Sequence, residues 1–114
     1  RSVVVDPELE VTIVPGATEG IFACVQAVVH FGDEVILFDP AYDSYEPAVD
    51  LAGGRAIRVP LAAPDFKVDW ERFERALSPK TRLVMINSPH NPCGSILTKS
   101  DLEQLAQLAD RYDF

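Results

Sequence analysis

The sequence predicts an α/β fold, with a three-layer arrangement in which a mostly parallel sheet carries helices on both faces. Three observations support this class. Short apolar runs rich in β-formers alternate with helix-length segments along the chain. The runs are continuously apolar, as in strands that are covered on both sides. The chain has 114 residues, of which 47% are hydrophobic, and this suits one domain and not two.

Four segments are predicted as strands because they combine apolar runs with turn residues at their ends. They are residues 11–14, 34–38, 56–59 and 82–86. Four helices are predicted. The first covers 18–31 and is ended by Gly32 as a C′ glycine, and the second covers 45–52. The third runs from an N-cap at Asp69 to residue 77, and the fourth begins at a Thr98–Asp101 capping box. The helix at 18–31 is apolar nearly all round, which indicates a buried helix. Leu102, Leu105, Ala109 and Tyr112 are predicted to line the core face of the last helix.

Ligands of parallel α/β sheets bind beyond the carboxyl ends of the strands. The loops that follow strands here are 15–19, 39–45 and 87–95, and they hold the most unusual residues of the chain. We therefore expect any functional site in these three loops.

The first loop joins a strand to a helix through small residues, including Gly16, Ala17 and Thr18. Small residues let the backbone approach a ligand, and a helix N-terminus attracts an anion. Thr18 adds a hydroxyl donor. The alternative is a plain turn in which Thr18 is the N-cap. No GxGxxG or GxxxxGK[ST] motif is present.

The second loop contains Pro40 and Tyr42. An aromatic ring at the carboxyl end of a strand can stack on a planar cofactor. The alternative is a tyrosine that packs between helix and sheet, and the sequence does not decide between them.

The third loop, 87–95, is rigid because two prolines flank His90-Asn91. Rigidity would hold the Asn91 amide at a fixed point, where its NH₂ can donate to a phenolate oxygen. We expect His90 to point at solvent or at a neighbouring chain. Cys93 is expected to be a bystander because no base is placed beside it.

The composition excludes several classes of function. The net charge is −8 and the ten basic residues are scattered, which argues against nucleic acid as a partner. Cys24 and Cys93 show no metal-ligand spacing and suit a reducing compartment. No apolar run reaches the length of a membrane span, and no signal peptide opens the chain. A cytoplasmic protein without membrane contact is expected.

Taken together, four motifs resemble those of fold-type I enzymes that use pyridoxal 5'-phosphate (PLP), in the class I/II aminotransferase family. The closest likeness is to the kynurenine and methionine aminotransferase branch. Their joint occurrence at these spacings is specific and covers nearly the whole chain. The motifs are Pro-Gly-Ala-Thr-Glu (15–19), Gly-Asp-Glu-Val-Ile (32–36), Asp-Pro-Ala-Tyr-Asp-Ser-Tyr (39–45) and Asn-Ser-Pro-His-Asn-Pro-Cys-Gly (87–94).

The resemblance implies a role for each loop. Ala17 and Thr18 would contact the phosphate of PLP, Tyr42 would stack on its pyridine ring, and Asn91 would hydrogen-bond its 3-oxygen. The implied substrates are an amino acid and a 2-oxo acid, and the implied assembly is a homodimer.

The resemblance also implies that the catalytic residues lie outside this chain. The Schiff-base lysine of the family follows in a Ser-x-Ser-Lys-like context, and Lys67, Lys80 and Lys99 all lack that context. We therefore expect residues 1–114 to be a partial PLP-binding large domain, truncated at both ends and inactive alone. Two alternatives stay open: a fragment of a PLP-dependent carbon–sulfur β-lyase, and a non-enzymatic α/β binding module.

The strand predicted at 11–14 raises a further expectation. In the family that the chain resembles, this strand lies at a sheet edge, and later strands separate it from the others. At ~4.8 Å per strand it would stand ~19 Å from its nearest neighbour here. Either it pairs with the other three strands, or a second chain or residues outside this chain fill the gap.

Overall fold

A computed structural model of the protein describes residues 3–114. Helices and strands alternate along the chain, as the sequence predicts. They are α1 (Ala17–Val28), β1 (Glu34–Asp39), α2 (Tyr45–Leu51), β2 (Arg55–Pro60), α3 (Trp70–Ala76), β3 (Thr81–Met85) and α4 (Lys99–Tyr112).

The described strands form one parallel sheet in the order β2-β1-β3. Ile36, in the middle of β1, pairs with Ile57 of β2 on one side and with Val84 of β3 on the other. Parallel pairing requires a crossover connection, and each connection between consecutive strands here contains a helix, as is usual. The predicted α/β fold is confirmed.

Helices cover both faces of the sheet, and the residues of β1 alternate between the two. Val35 and Leu37 are fully buried in a cluster with residues of α1 and α2, including Val25 and Val49. Ile36 and Phe38 lie in the opposite cluster, with residues of α3 and α4 that include Phe73 and Leu108. The central strand is therefore apolar on both sides, which explains its continuous apolar sequence.

Two helix starts follow local signals in the sequence. The Asp69 carboxylate accepts a hydrogen bond from the Arg72 N–H, so Asp69 is the predicted N-cap of α3. At α4, the Thr98 hydroxyl accepts from the Asp101 N–H, and the Asp101 carboxylate accepts from the Thr98 N–H. The predicted capping box is thus confirmed.

The prediction for α1 is wrong in two respects. The helix ends at Val28, and Gly32, with φ 87°, forms the turn before β1 and donates its N–H to the Gly53 carbonyl. The helix is also not buried all round, because within residues 3–114 it packs on the sheet and α2 along one side only. Val25 is its buried residue, whereas Phe22 is 40% exposed.

Residues 11–14 do not form the predicted strand. They make no backbone hydrogen bond within the described part of the chain, and Ile13 is 89% exposed. Their sequence favours a strand, but a strand needs a neighbouring backbone, and the sheet does not reach this segment. Pairing with the other three strands is therefore excluded. A second chain or residues outside this chain as the partner stays a prediction.

The core face of α4 also differs from the prediction. Leu108 is buried and Leu105 and Ala109 are partly buried, whereas Leu102 and Tyr112 are exposed. The sheet and α3 contact the face that carries Leu105 and Leu108, which lies beside the face predicted from spacing alone.

Candidate functional site

One hydrogen-bonding contact and one shared groove bring the three predicted loops together at the carboxyl end of the sheet. Thr18, at the start of α1, lies within hydrogen-bonding distance of Tyr42 in the loop after β1. Tyr42 and Asn91 in turn line one open groove, together with Ala41, Asp43 and Pro92. Tyr42 and Asn91 share this groove because they follow the neighbouring parallel strands β1 and β3, whose carboxyl ends meet at one edge of the sheet.

The start of α1 is formed by Gly16 and not by Thr18. Gly16 is the N-cap, with φ 112°, and among residues 3–114 no side chain caps this helix. A positive φ of this size suits glycine, and no described atom lies within 4 Å of where a Cβ would stand. The alternative that Thr18 is the N-cap is therefore wrong. The first-turn N–H groups of Ala17 and Thr18 remain without intrahelical partners, as at any helix start.

The Thr18 hydroxyl points across to the loop after β1. Its Oγ1 lies 3.3 Å from the Tyr42 hydroxyl and 3.5 Å from Ser44 Oγ. These three hydroxyls connect the N-terminus of α1 to the loop. The same contacts lower the pKa of Tyr42, with the hydrogen bond to Thr18 as the larger cause and that to Ser44 second.

Tyr42 stands at the groove, whereas its neighbour Tyr45 takes the structural role. Tyr45 packs against the core cluster on the α1 side of the sheet, and burial raises its pKa. The two rings meet edge to face, with centroids 5.6 Å apart. The alternative of a tyrosine packed between helix and sheet thus describes Tyr45, which leaves the Tyr42 ring at the groove with Asn91.

An arginine that sequence reasoning missed fixes both ends of the loop that carries Tyr42. The Arg58 guanidinium, on β2, bonds the Asp39 carboxylate before the loop and the Glu46 carboxylate after it. One rigid, planar group thus ties the end of β1 to the first turn of α2. The sequence did contain a signal for this contact. Arg58 stands two residues before the end of β2, and the neighbouring parallel strand β1 ends at Asp39.

The loop after β3 is closed by its own backbone. The His90 N–H donates to the Ser95 carbonyl over 2.7 Å, and the Gly94 N–H donates to the His90 carbonyl over 2.6 Å. Gly94 adopts φ 73°, which this turn requires. Asn91 lies inside the closed turn and is exposed toward the groove. These two hydrogen bonds support the predicted rigidity of the loop, and the role of the Asn91 amide stays a prediction.

His90 contradicts the expectation that it points at solvent or at another chain. It is 9% exposed, and its side chain stands beneath the loop. Burial is the larger influence on the pKa of His90 and lowers it, while the nearby Phe38 backbone acts in the opposite direction. The expectation failed because a polar residue between prolines gives no local sign of burial. Cys93 is half-buried and makes no disulfide.

Two other kinds of site have no counterpart in the part of the chain that the structure describes. Within residues 3–114, no three His, Cys, Asp or Glu side chains are grouped so that they could hold a metal ion. None of the helices described there is both long and apolar enough to cross a membrane.

The fold is a parallel α/β domain in which the loops after β1 and β3 meet at one open groove. The Tyr42 ring and the Asn91 amide line that groove, and the N-terminus of α1 is linked to it through the contact of Thr18 with Tyr42. The sequence pattern of class I and II aminotransferases matches residues 1–114, and the chain belongs to this family. The predicted resemblance is confirmed.

Curated relatives carry the same family signature at substantial identity. The chain is 47% identical over 102 residues to the methionine aminotransferase of Escherichia coli, covering 90% of this chain and 26% of the relative. It is 47% identical over 107 residues to a probable N-succinyldiaminopimelate aminotransferase of Mycobacterium tuberculosis, covering 91% of this chain and 27% of the relative. The chain therefore spans about a quarter of the length of these proteins.

Solved structures agree with this assignment. The N-succinyldiaminopimelate aminotransferase of M. tuberculosis superposes with a TM-score of 0.94 at 43% identity, over 98% of this chain and 30% of that chain. The aromatic aminotransferase of Pyrococcus horikoshii superposes with a TM-score of 0.90 at 37% identity, over 96% of this chain and 30% of that chain. The described fold is thus the fold of the matching region in these enzymes.

Proposed function

We propose that this chain is part of the large, cofactor-binding domain of a PLP-dependent aminotransferase. The full-length enzyme would transfer an amino group between an amino acid and a 2-oxo acid. The observation that carries the proposal is the convergence of Thr18, Tyr42 and Asn91 at one edge of the sheet. Membership of the class I and II aminotransferase family supports the same reaction class.

The chemistry of the three groups fits PLP. The N–H groups of Ala17 and Thr18 stand at the positive end of the α1 dipole, where they would hold the phosphate. The Tyr42 ring would lie against the face of the pyridine. The Asn91 NH₂ would donate to the 3-oxygen, because an amide nitrogen donates and a phenolate oxygen accepts. PLP, when bound, supplies an electron sink for bond breaking at the α-carbon of the amino acid.

In this proposal the described residues bind and orient the cofactor, and they place no lysine at the groove. Lys80 precedes β3 and lies at the opposite end of the sheet. Lys99 is exposed on α4 and pairs with Glu103 over 3.4 Å, and Lys67 lines a cavity beneath the loop after β3. We therefore propose that this segment holds the cofactor, and that the proton-transferring lysine comes from elsewhere in the full-length protein.

The wider setting of the enzyme is also part of the proposal. We infer a cytoplasmic homodimer that binds neither nucleic acid nor membranes. The net charge of −8 supports the exclusion of nucleic acid, because phosphate backbones attract basic proteins. The exposed apolar side chains of α1 and of residues 11–14 support a longer chain or a partner that covers them.

The test uses the full-length protein that contains these residues. It would be purified with PLP and assayed with a panel of amino acids and 2-oxo acids. We expect formation of a new amino acid from the 2-oxo acid, in equal amounts to the oxo acid produced. Release of pyruvate and ammonia from a cysteine conjugate, without amino-group transfer, would instead establish the β-lyase. If the protein shows neither PLP binding nor turnover, the remaining hypothesis is the non-enzymatic α/β binding module.

A further inference from the structure

The loop after β3 carries Asn91, and three described hydrogen bonds hold it closed. Two of them join backbone groups within residues 90–95. The third uses a side chain: the hydroxyl oxygen of Ser88 accepts a hydrogen bond from the Leu97 N–H over 3.0 Å. The Ser88 hydroxyl therefore joins the two arms of the loop at its base.

The spacing of these bonds shows which group the hydroxyl replaces. Where two arms of a chain run antiparallel, hydrogen-bonded pairs of residues recur two positions apart on each arm. The first such pair here is His90 with Ser95, so the next pair outward falls on Ser88 and Leu97. At that pair the acceptor is the side chain of Ser88 in place of a backbone carbonyl. Closure at the base of the loop therefore depends on the kind of residue at position 88.

The loop has few other means of fixing Asn91. Pro89 and Pro92 lack an N–H, so neither can supply a backbone donor. Ser88 is exposed, and Asn91 is exposed toward the groove. Asn91 is therefore held in place by its neighbours, namely the buried His90 beside it and the hydrogen bonds that close the loop.

The far arm of the loop leads into an anchored element, the start of α4. Leu97 precedes Thr98, the N-cap of that helix, and the Thr98 N–H donates to the Asp101 carboxylate. The other oxygen of this carboxylate accepts from Trp70 Nε1 over 2.9 Å, which ties the start of α4 to α3. The hydrogen bond between Leu97 and Ser88 thus connects the near arm of the loop to an anchored helix.

We propose that Ser88 is a positioning residue, whose hydroxyl holds the loop closed at its base and so fixes the Asn91 amide at the groove. An amide that is already fixed meets the 3-oxygen of PLP with little further loss of loop freedom on binding. This consequence for the cofactor rests on the proposed function. Closure of the loop by the Ser88 hydroxyl does not.

A matched pair of variants separates the hydroxyl from the shape of the side chain. Ser88→Thr keeps the hydroxyl, whereas Ser88→Val has the same shape as that variant with a methyl group in its place. Both are branched at Cβ, which suits the extended backbone that precedes Pro89, and the exposed position leaves room for the added methyl. Ser95→Thr and Ser95→Val are the controls within the same loop, because Ser95 closes it through its carbonyl.

Amide exchange of residues 88–97 in the full-length protein without PLP measures closure of the loop. We expect Ser88→Val to raise exchange at Leu97 about fivefold, as for the loss of one hydrogen bond. Ser88→Thr and both Ser95 variants should exchange like the native protein. If Ser88→Thr and Ser88→Val behave alike, the hydroxyl does not close the loop and the proposal is overturned.

The pH titration of bound PLP reports the position of Asn91. An amide that donates to the 3-oxygen favours its ionised form, so displacement of the amide should raise the pH at which the absorbance of bound PLP changes. Asn91→Ala sets the size of this shift. We expect a smaller shift in the same direction for Ser88→Val, with PLP binding weakened by at most about fivefold.

A double variant tests whether Ser88 acts through Asn91. Combined with Asn91→Ala, Ser88→Val should add nothing to the shift of the PLP titration, because the amide that it positions is already absent. Ser88→Thr should titrate like the native protein. An unchanged titration in Ser88→Val, or full addition of the two shifts in the double variant, would overturn the positioning role.

The two proposals can fail separately. If the full-length protein binds no PLP, the proposed function fails, and amide exchange still decides whether the Ser88 hydroxyl closes the loop. If PLP binds but Ser88→Thr and Ser88→Val behave alike, the proposed function stands and the role of Ser88 falls.

Discussion

The hydroxyl oxygens of Thr18 and Tyr42 lie 3.3 Å apart although the two residues are 24 positions apart in the sequence. Thr18 belongs to the first turn of α1 and Tyr42 to the loop after β1. The contact fixes the aromatic ring relative to the helix N-terminus. We propose that Thr18 contacts the phosphate of a cofactor and that Tyr42 contacts the ring of the same cofactor.

Replacing Thr18 should change the acidity of Tyr42. The Thr18 hydroxyl is the main cause of the lowered pKa of Tyr42, because it donates to the phenolate form. Thr18→Val should therefore raise that pKa toward its ordinary value, whereas Thr18→Ser should leave it nearly unchanged. Phenolate absorbance during a pH titration measures this, with Tyr42→Phe variants subtracted to isolate the signal. An unchanged titration in Thr18→Val would exclude the contact.

Removing the aromatic ring of Tyr42 should weaken PLP binding more than removing its hydroxyl. Tyr42→Phe keeps the ring and should bind within about threefold of the native protein, whereas Tyr42→Ala should bind about tenfold more weakly, which matches the 0.5–1.5 kcal/mol of an aromatic contact. The measurement is a PLP titration of the full-length protein. Tyr112→Ala is the control, because Tyr112 donates to Glu74 of α3 and does not line the groove. Equal binding by the Phe and Ala variants would remove Tyr42 from the cofactor site.

Arg58→Ala should loosen the loop at 40–45 with little loss of global stability. Its ion pairs with Asp39 and Glu46 are partly exposed, and such pairs contribute about 0.2–1 kcal/mol each. Faster amide exchange in the loop and weaker PLP binding are expected. Arg58→Lys should rescue only partly, because an ammonium cannot hold both carboxylates in one plane.

Arg55→Ala is the matched control for this experiment. Arg55 lies on the same strand and pairs with Glu34 over 3.8 Å at the other end of the sheet. Loop exchange and PLP affinity should not change in this variant. If both arginine variants loosen the loop alike, the effect belongs to the stability of β2 and not to Arg58.

The isolated chain of residues 1–114 should not catalyse transamination. None of Lys67, Lys80 and Lys99 stands at the groove between Tyr42 and Asn91. The chain should also bind PLP weakly, because phosphate, ring and 3-oxygen contacts remain but a covalent link does not. The assay is amino-group transfer with PLP and a panel of amino acids, followed by dialysis. Turnover above that of free PLP, or cofactor that survives dialysis in stoichiometric amounts, would contradict this prediction.

Much of the fold could be predicted because its signals are local. The cap of α3 at Asp69 and the capping box of α4 at Thr98 and Asp101 each depend on residues three positions apart. The central strand β1 could be predicted because it is buried on both faces and therefore apolar along its length. The strands β2 and β3 could be predicted from shorter apolar runs with turn residues at their ends. The meeting of Tyr42 and Asn91 at one groove followed from the rule that parallel strands end at the same edge.

The sequence by itself determined the three strands of the sheet, the starts of α3 and α4, and the loops that carry the candidate site. Only the tertiary structure decided that residues 11–14 pair with no strand within residues 3–114, that His90 is buried, and that Arg58 bonds both Asp39 and Glu46. The physical reason is the same in each case. Pairing, burial and ion pairs depend on which distant residues lie nearby, whereas a cap or an apolar run depends on residues that the chain itself keeps adjacent.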